Sequence, residues 1–487
     1  MARKTVLAID EGTTNSKAVL VSQEGEIIAS GSAPVPTQHP QSGWVQQDAN
    51  EIWEATRKAI STCLAAAPDA EVIALGISNQ RESILIWDRK TGAPLGPVVT
   101  WQCRRTAAAC NALKQAGQEP EVIARTGLPL DPLFPPTKAA WLIENHGEQS
   151  DDICIGTVDS WLIWKLSGGA VHATDRTNAA RTQLFNLAEG QWDDMLCALF
   201  GIDRSMLPEV RDSSHIFGGT RNTGVVPDGI PIASAIGDSH AALFGHGAFG
   251  RGDGKITFGT GSSVMTTIPD FIVPPTGITT TIAWSLDGTS TYAFEGNILV
   301  SASILPWTAA LLGLASVEAL LELAQTVEGT EGVSLVPAHV GLGSPHWNAD
   351  ARGVISGLSF GSGPAHVARA AAESMAFQVH DVFSIMAAAA TGIGRLSVDG
   401  GPSRNPFLMQ IVANCLDHAL TPSLNAEASA IGAAHLAGLA TGFWPDLDAL
   451  GRLARRGSEI APELAPEPRQ ANLEVWRKAV ARTLAPV

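Results

Sequence analysis

Apolar and polar positions alternate at the head of the chain in short runs of β type. Val6–Asp10 (VLAID) predicts a strand, the polar DEGTT a turn and Lys17–Ser22 (KAVLVS) a second strand. After the Glu24–Gly25 turn, EIIASG predicts a third. A three-strand meander differs from the strand–helix–strand opening of dinucleotide-binding folds. From Asn50 to Ala67 the period changes to that of a helix, with Trp53, Ile60 and Leu64 on one face and Asp48 or Asn50 as cap. The apolar run Val72–Ser78 then predicts a buried strand. Helical and strand patterns alternate thereafter, which argues for the α/β class.

Near Gly245 the chain turns glycine-rich and a second strand–turn–strand unit follows: KITF, GTGSS, VMTT. The strand RLSV leads into a third turn of related character, VDGGPSRN (Val398–Asn405), after a long alanine-rich helix ending at Ala390. Two α/β halves are expected, residues 1–249 and 250–487, with a surface helix in the tail from about Arg455. Gly296–Val317 carries no charge and is long enough to span a bilayer. Its Asn297, Pro306, Gly313 and hydroxyl residues predict instead a strand end followed by a core helix.

Composition narrows the function classes. The chain has 487 residues, 45% hydrophobic and 16% charged, which suits a folded protein of two or three domains and excludes disorder and disulfide scaffolds. Forty-eight acidic against 32 basic residues give a net charge of −16, an unfavourable balance for nucleic acid or anionic membrane as partners. An anionic ligand must therefore be held locally. The six cysteines are scattered without metal-ligand spacing and read as reduced thiols of a cytoplasmic chain. An acid at Asp10 interrupts any signal-peptide core.

Several segments carry chemistry. In DEGTTNSK, Gly12 lets backbone approach a ligand, successive amides form an anion nest, and Thr13, Thr14 and Asn15 add donors. Asp10 facing a phosphate calls for a Mg²⁺ between them; an ordinary β-turn is the plain alternative. The turn at Gly259–Ser263 has the same character, and GGPS (Gly400–Ser403) offers a further contact. Neither a P-loop nor a protein-kinase signature is present. Asp238 follows an apolar run and precedes a helical stretch. It suits either a base accepting a hydroxyl proton or a helix cap. Arg81 and Glu82 end a strand as adjacent donor and acceptor for hydroxyls, or as a surface ion pair. Trp101 suits either the carbon face of a polyol or the core.

Taken in order from Ala8 to Trp444, AIDEGTTNSK, GWVQQDANEIW, GISNQRES, WQCRRTA, GTVDSWLIWKL, TDRTNAARTQLFN, MLPEV, GDSHAALFG, FGTGSS, GLGSPHWNADARGVISGL, VDGGPSRNPFLMQ and AIGAAHLAGLATGFW resemble the FGGY family of carbohydrate kinases, in its glycerol kinase branch. The resemblance implies a two-domain α/β fold of the actin/hexokinase-like ATPase type, with ribonuclease H-like halves and a cleft that closes on ATP and a polyol or sugar. It implies Asp238 as catalytic base and Asp10, with Asp238, as Mg²⁺ ligands. Gly12, Thr13, Thr14, Asn15 and Lys17 would meet the terminal phosphates from one half, and Gly259 and Thr260 from the other. Ala302, Gly401 and Asn405 would lie by the nucleotide. Arg81, Glu82, Trp101 and Asp238 match the acceptor positions.

The departures fall in the acceptor pocket. Leu133 stands where glycerol kinases have Tyr, Ser239 where they have Gln, and Ser263 where a Phe closes the pocket; Ala302 and Pro306 replace a Gly and a Gln near the nucleotide. The first three put glycerol in doubt and leave phosphoryl transfer intact. Three functions are carried forward: a glycerol kinase, a kinase for a larger polyol or ketose, and a non-enzymatic ATP-binding scaffold. A homodimer or higher homo-oligomer is expected.

Overall fold

The computed structural model describes residues 3–149, 152–390, 392–425 and 427–485. The opening meander forms as β1 (Arg3–Glu11), β2 (Asn15–Ser22) and β3 (Ile27–Pro34), antiparallel neighbours in turn. β4 (Ala70–Asn79) runs parallel to β1 on its other side. β5 (Ser214–Gly219) and β6 (Pro231–Gly237) complete a six-stranded sheet in the order β5-β6-β4-β1-β2-β3. Asp48 decides between the two predicted caps: its carboxylate accepts the amides of Asn50 and Glu51 and starts the helix Ala49–Ala65, which buries Ile52, Trp53, Ala59 and Ile60.

The second half repeats the scheme. β7 (Gly254–Phe258) and β8 (Ser262–Ile268) form the predicted strand–turn–strand unit. With β9 (Thr279–Leu286), β10 (Thr289–Ile298), β11 (Leu396–Gly400) and β12 (Leu420–Pro422) they make a second six-stranded sheet, ordered β9-β10-β8-β7-β11-β12. In each sheet the first strand pairs antiparallel with the next and parallel, on its other edge, with a later strand.

The two sheets are not separate along the chain. Helix Ala428–Ala440 returns to the first sheet, where Ala430, Ala433 and Leu436 share a core with Val6, Ala8, Val19 and Ala74. Small residues permit the approach: a Cβ on Gly76 of β4 would stand 2.5 Å from the carbonyl oxygen of Ala433. A four-stranded sheet of Gln46–Gln47, Val98–Val99, Ile84–Asp88 and Ile153–Thr157 lies beyond the end of β4.

Two expectations from the sequence need adjustment. The tail is extended after Arg455 and helical only over Pro466–Leu484, and that helix is no mere surface element. It buries Leu473, Trp476, Ala479 and Val480, with Trp476 stacked on Phe377 at 5.4 Å. The uncharged stretch 296–317 is the end of β10 followed by helix Ile304–Leu311, as predicted. Among the described residues no helix is long and apolar enough to cross a membrane. All six cysteines are free and buried.

Candidate active site

Parallel pairing aligns the ends of three strands of the first sheet. Opposite Ser78 of β4 stand Asp10 of β1 and Ile236 of β6, and opposite Asn79 stand Glu11 and Gly237. Asp10, the Arg81–Glu82 pair and Asp238 are thereby delivered to one sheet edge. Ser78 Oγ donates to Asp10 Oδ1 at 2.8 Å. Burial pushes the Asp10 carboxyl up to about 6, and the nearby acids Asp238 and Glu427 push the same way, against Ser78 and Lys17.

Asp238 is the first residue of helix Asp238–Gly245, but Gly237 occupies the cap position and no side chain caps that helix. The helix-cap reading of Asp238 is therefore corrected. Its Oδ1 accepts from Arg81 Nε at 3.0 Å and from the adjacent Ser239 amide at 2.6 Å, and its side chain is 41% exposed. Gly237 is needed for this arrangement, because a Cβ there would lie 2.7 Å from Cγ and Cδ of Arg81.

Arg81 and Glu82 are not a surface ion pair. Glu82 is buried, takes a left-handed backbone (φ 62°) and accepts from Arg181 Nε at 2.7 Å. A non-glycine residue held there is strained, which is characteristic of functional sites. Arg81 instead reaches Glu295 of β10, Nη1 to Oε1 at 2.7 Å, and Arg181 Nη1 lies 2.8 Å from the other oxygen of Glu295. Sequence reasoning missed Arg181 and Glu295. A signal existed for the second, a lone carboxylate in the otherwise uncharged strand TSTYAFEGNI.

The expected acceptor walls come from loops. Trp101 is 36% exposed, and its Nε1–H donates to Thr13 Oγ1 at 3.0 Å, so it lines the cleft and not the core. Lys138, also missed, is buried and donates to the carbonyls of Thr100 and Leu133, both at 2.9 Å, and to that of Trp101 at 3.4 Å. It ties the Trp101 and Leu133 segments together, and burial pushes its ammonium down to about 7. Ser239 and Ser263 meet across the halves, Oγ to Oγ at 3.1 Å.

The expected nucleotide residues are exposed or half-buried and lie in turns or beside them, Asn15 and Lys17 at the start of β2. Gly12 N–H donates to the Asn15 carbonyl at 3.0 Å, and Asn15 Nδ2 to Thr14 Oγ1 at 3.2 Å. Lys17 bridges to Glu427 at 2.9 Å. In the second half, the Ala302 amide donates to the Gly259 carbonyl at 3.0 Å, and Ser301 N–H to that of Thr260 at 2.8 Å, so Ala302 abuts that turn. Phe258 pairs with Gly400, which places Gly401 beside Gly259 and Thr260. Asn405 caps helix Pro406–Leu416, its side chain accepting the Leu408 amide at 3.1 Å.

Among the described residues no group of three or more His, Cys, Asp or Glu is arranged as a metal site. A divalent cation here would be held as Mg²⁺ usually is, by one or two carboxylates together with phosphate oxygens and water. Asp10 fits that role: it is an acid with Asp238 and Glu427 nearby and Lys17 as the basic neighbour.

Residues 5–245 match the FGGY family of carbohydrate kinases, N-terminal domain, and residues 254–441 its C-terminal domain. An apulose kinase of Pectobacterium atrosepticum is 45% identical over 99% of both chains, and a glycerol kinase of Bacillus subtilis 39% identical over 99% of both. The crystal structure of Plasmodium falciparum glycerol kinase with ADP superposes with a TM-score of 0.95 at 29% identity, covering 100% of this chain and 99% of that one. A ligand-bound xylulose kinase of Lactobacillus acidophilus shares the fold, with a TM-score of 0.90 at 22% identity over 98% and 97%. The fold is accordingly the two-domain actin/hexokinase-like ATPase fold expected from the sequence.

Proposed function

This chain belongs to the FGGY family of carbohydrate kinases, and we propose that its acceptor is a four- or five-carbon polyol or ketose in preference to glycerol. It is an ATP-using carbohydrate or polyol kinase, and its relatives are kinases, not scaffolds. The observation that carries the acceptor reading is the Ser239–Ser263 contact. Two short hydroxyl side chains meet there at the seam of the halves, at positions where the glycerol kinase pattern has Gln and Phe. With Leu133 in place of Tyr, the wall loses bulk and gains donors suited to additional hydroxyls. The 45% identical relative that acts on apulose agrees with a larger acceptor.

In this reading Asp238 takes the proton of the attacking hydroxyl, which Arg81, Glu82 and Trp101 hold in line. Arg81 on Oδ1 keeps the carboxylate oriented, leaving Oδ2 to receive the proton. The turn at Gly12, the hydroxyls of Thr13 and Thr14 and the side chains of Asn15 and Lys17 bind the terminal phosphates from one side, and Gly259 and Thr260 from the other. Ala302, Gly401 and Asn405 flank the nucleoside. Mg²⁺ at Asp10, with Asp238 near by, would neutralise charge on the phosphoryl oxygens. Closure of the halves over a bound acceptor would exclude water as a competing acceptor.

Release of ADP across a panel of glycerol, tetritols, pentitols, xylulose and apulose tests the acceptor. A ketose or polyol larger than glycerol is expected to give the highest kcat/KM. Glycerol turning over hundreds-fold better than every larger acceptor would sink the reading.

A further inference from the structure

Five charged side chains, drawn from segments remote in sequence, stand in one row of alternating sign: Asp238, Arg81, Glu295, Arg181, Glu82. The contacts are Asp238 Oδ1 to Arg81 Nε at 3.0 Å, Arg81 Nη1 to Glu295 Oε1 at 2.7 Å, Glu295 Oε2 to Arg181 Nη1 at 2.8 Å, and Arg181 Nε to Glu82 Oε1 at 2.7 Å. The two ends of the row are the groups assigned above to the acceptor. Its centre is 0% exposed and comes from the other half of the molecule, on β10.

We propose that Glu295 is a positioning residue for phosphoryl transfer: a buried carboxylate supplied by the second half that aims both Arg81 and Arg181, and through them sets Asp238 and Glu82 in register around the acceptor. The inference rests on the reading of Asp238 as base and Glu82 as acceptor ligand.

Three observations support it. First, the two guanidiniums converge on a single carboxylate, and without that anion they would repel each other in a buried space. Burial pushes the Glu295 carboxyl up, but Arg181 and Arg81 beside it pull it well below the carboxylate range, so it stays ionised. His240, packed against the same cluster, is buried and held neutral, and Lys255 lies within its field. Second, a buried ion cluster is a poor device for stability, since apolar residues of similar volume often serve as well or better. Glu295 sits between Phe294 and Gly296 in a strand whose neighbours Ala293 and Ile298 are core residues, where an apolar side chain would pack. Third, the middle of the row is held by charge without full hydrogen bonding: Arg181 Nη1 and Nη2 and Glu295 Oε2 are buried without an aligned hydrogen-bond partner. Arg181 also lies 5.2 Å from the ring of Phe134, next to the pocket residue Leu133. A row built this way transmits position from one end to the other and is complete only where the halves meet.

The test is steady-state kinetics of the full chain, with ATP and the best acceptor of the panel each varied in turn. Glu295→Gln keeps the shape and removes the charge; Glu295→Asp keeps the charge and shortens the side chain. E295Q is expected to raise the acceptor KM and lower kcat by about tenfold or more each, with the KM for ATP within about twofold of wild type, and E295D to retain more activity than E295Q. A packing role would reverse that order, with E295Q near wild type and E295D worse. That reversal, or equal rises in both KM values, overturns the proposal. If E295Q does not fold, the charge-balanced double variant R181M/E295Q gives the same split, and a normal acceptor KM in it overturns the proposal equally. Asp238→Asn measured alongside separates the two readings. Near-normal turnover in D238N removes the base assignment and leaves the split at Glu295 standing, whereas an inactive D238N beside a wild-type-like E295Q removes this inference alone.

Discussion

The two faces of the cleft are built from different materials. The expected acceptor face is made of charged side chains, buried or nearly so except for the part-exposed Asp238, that come from several elements and hold one another: Arg81 after β4, Arg181 after the helix Arg176–Ala180, Glu295 on β10 and Asp238 after β6. The expected nucleotide face is made of backbone, in turns whose residues are small and exposed or half-buried. An uncharged polyol must be selected by the direction of individual hydrogen bonds, which requires rigid side chains in a dry site. A polyphosphate presents the same charged oxygens whichever nucleoside carries it, and strings of amides with one lysine suffice. The acceptor face is thus expected to be intolerant of side-chain chemistry, and the nucleotide face of backbone geometry.

The largest effect that would break this contrast is at Asp238. Asp238→Asn should retain nucleotide binding by calorimetry and lose turnover by roughly 100- to 10,000-fold, the span of general-base contributions; near-normal turnover would remove the base. Next is Glu82→Ala, which strips the buried Arg181 of one of its two carboxylate partners and leaves it Glu295 alone. Removing one member of a buried pair costs about 3–5 kcal/mol, so a clear fall in the denaturation midpoint is expected together with a rise in acceptor KM that ATP does not share. On the other face, Gly400→Ala should act through backbone. Its φ of 89° is left-handed and the added Cβ would stand 2.0 Å from the Phe258 carbonyl oxygen, displacing the turn at Gly259 and raising the KM for ATP more than that for acceptor. The smallest effect concerns pH. Lys138 falls to about 7 in the folded chain from an ordinary value near 10.5. Between those values the unfolded chain holds the additional proton, so stability rises with pH across that window and loses the contribution as pH falls through 7. Lys138→Met should flatten this rise in denaturation midpoints measured from pH 7 to 10.

What could be read from the sequence follows the same division. The turns at Gly12 and Gly259 were legible because strand, glycine, hydroxyl residues and strand are contiguous, and the duplicated sheet follows from them. Asp238 was visible as a carboxylate at a strand end, but its role could not be separated from a helix cap until β4 and β6 were seen side by side. Glu295 was visible as a lone carboxylate in its strand, but the pairings of the row through it were not legible. Arg181 and Glu82 are 99 residues apart and Arg81 and Glu295 are 214 apart, and no local pattern encodes pairing at such range. Trp101 shows the same limit, since only the bond to Thr13 distinguishes a cleft wall from one more core indole.

The helix Ala428–Ala440 has a consequence for biosynthesis. As the chain emerges from a ribosome, the first sheet is fully synthesised long before the helix that covers the apolar side carrying Val6, Ala8, Val19 and Ala74. Domains generally fold in order of emergence, but here the earliest sheet waits for one of the last helices. Until then that side is covered only in part, by the helix Asp238–Gly245 with Ala241, Leu243 and Phe244.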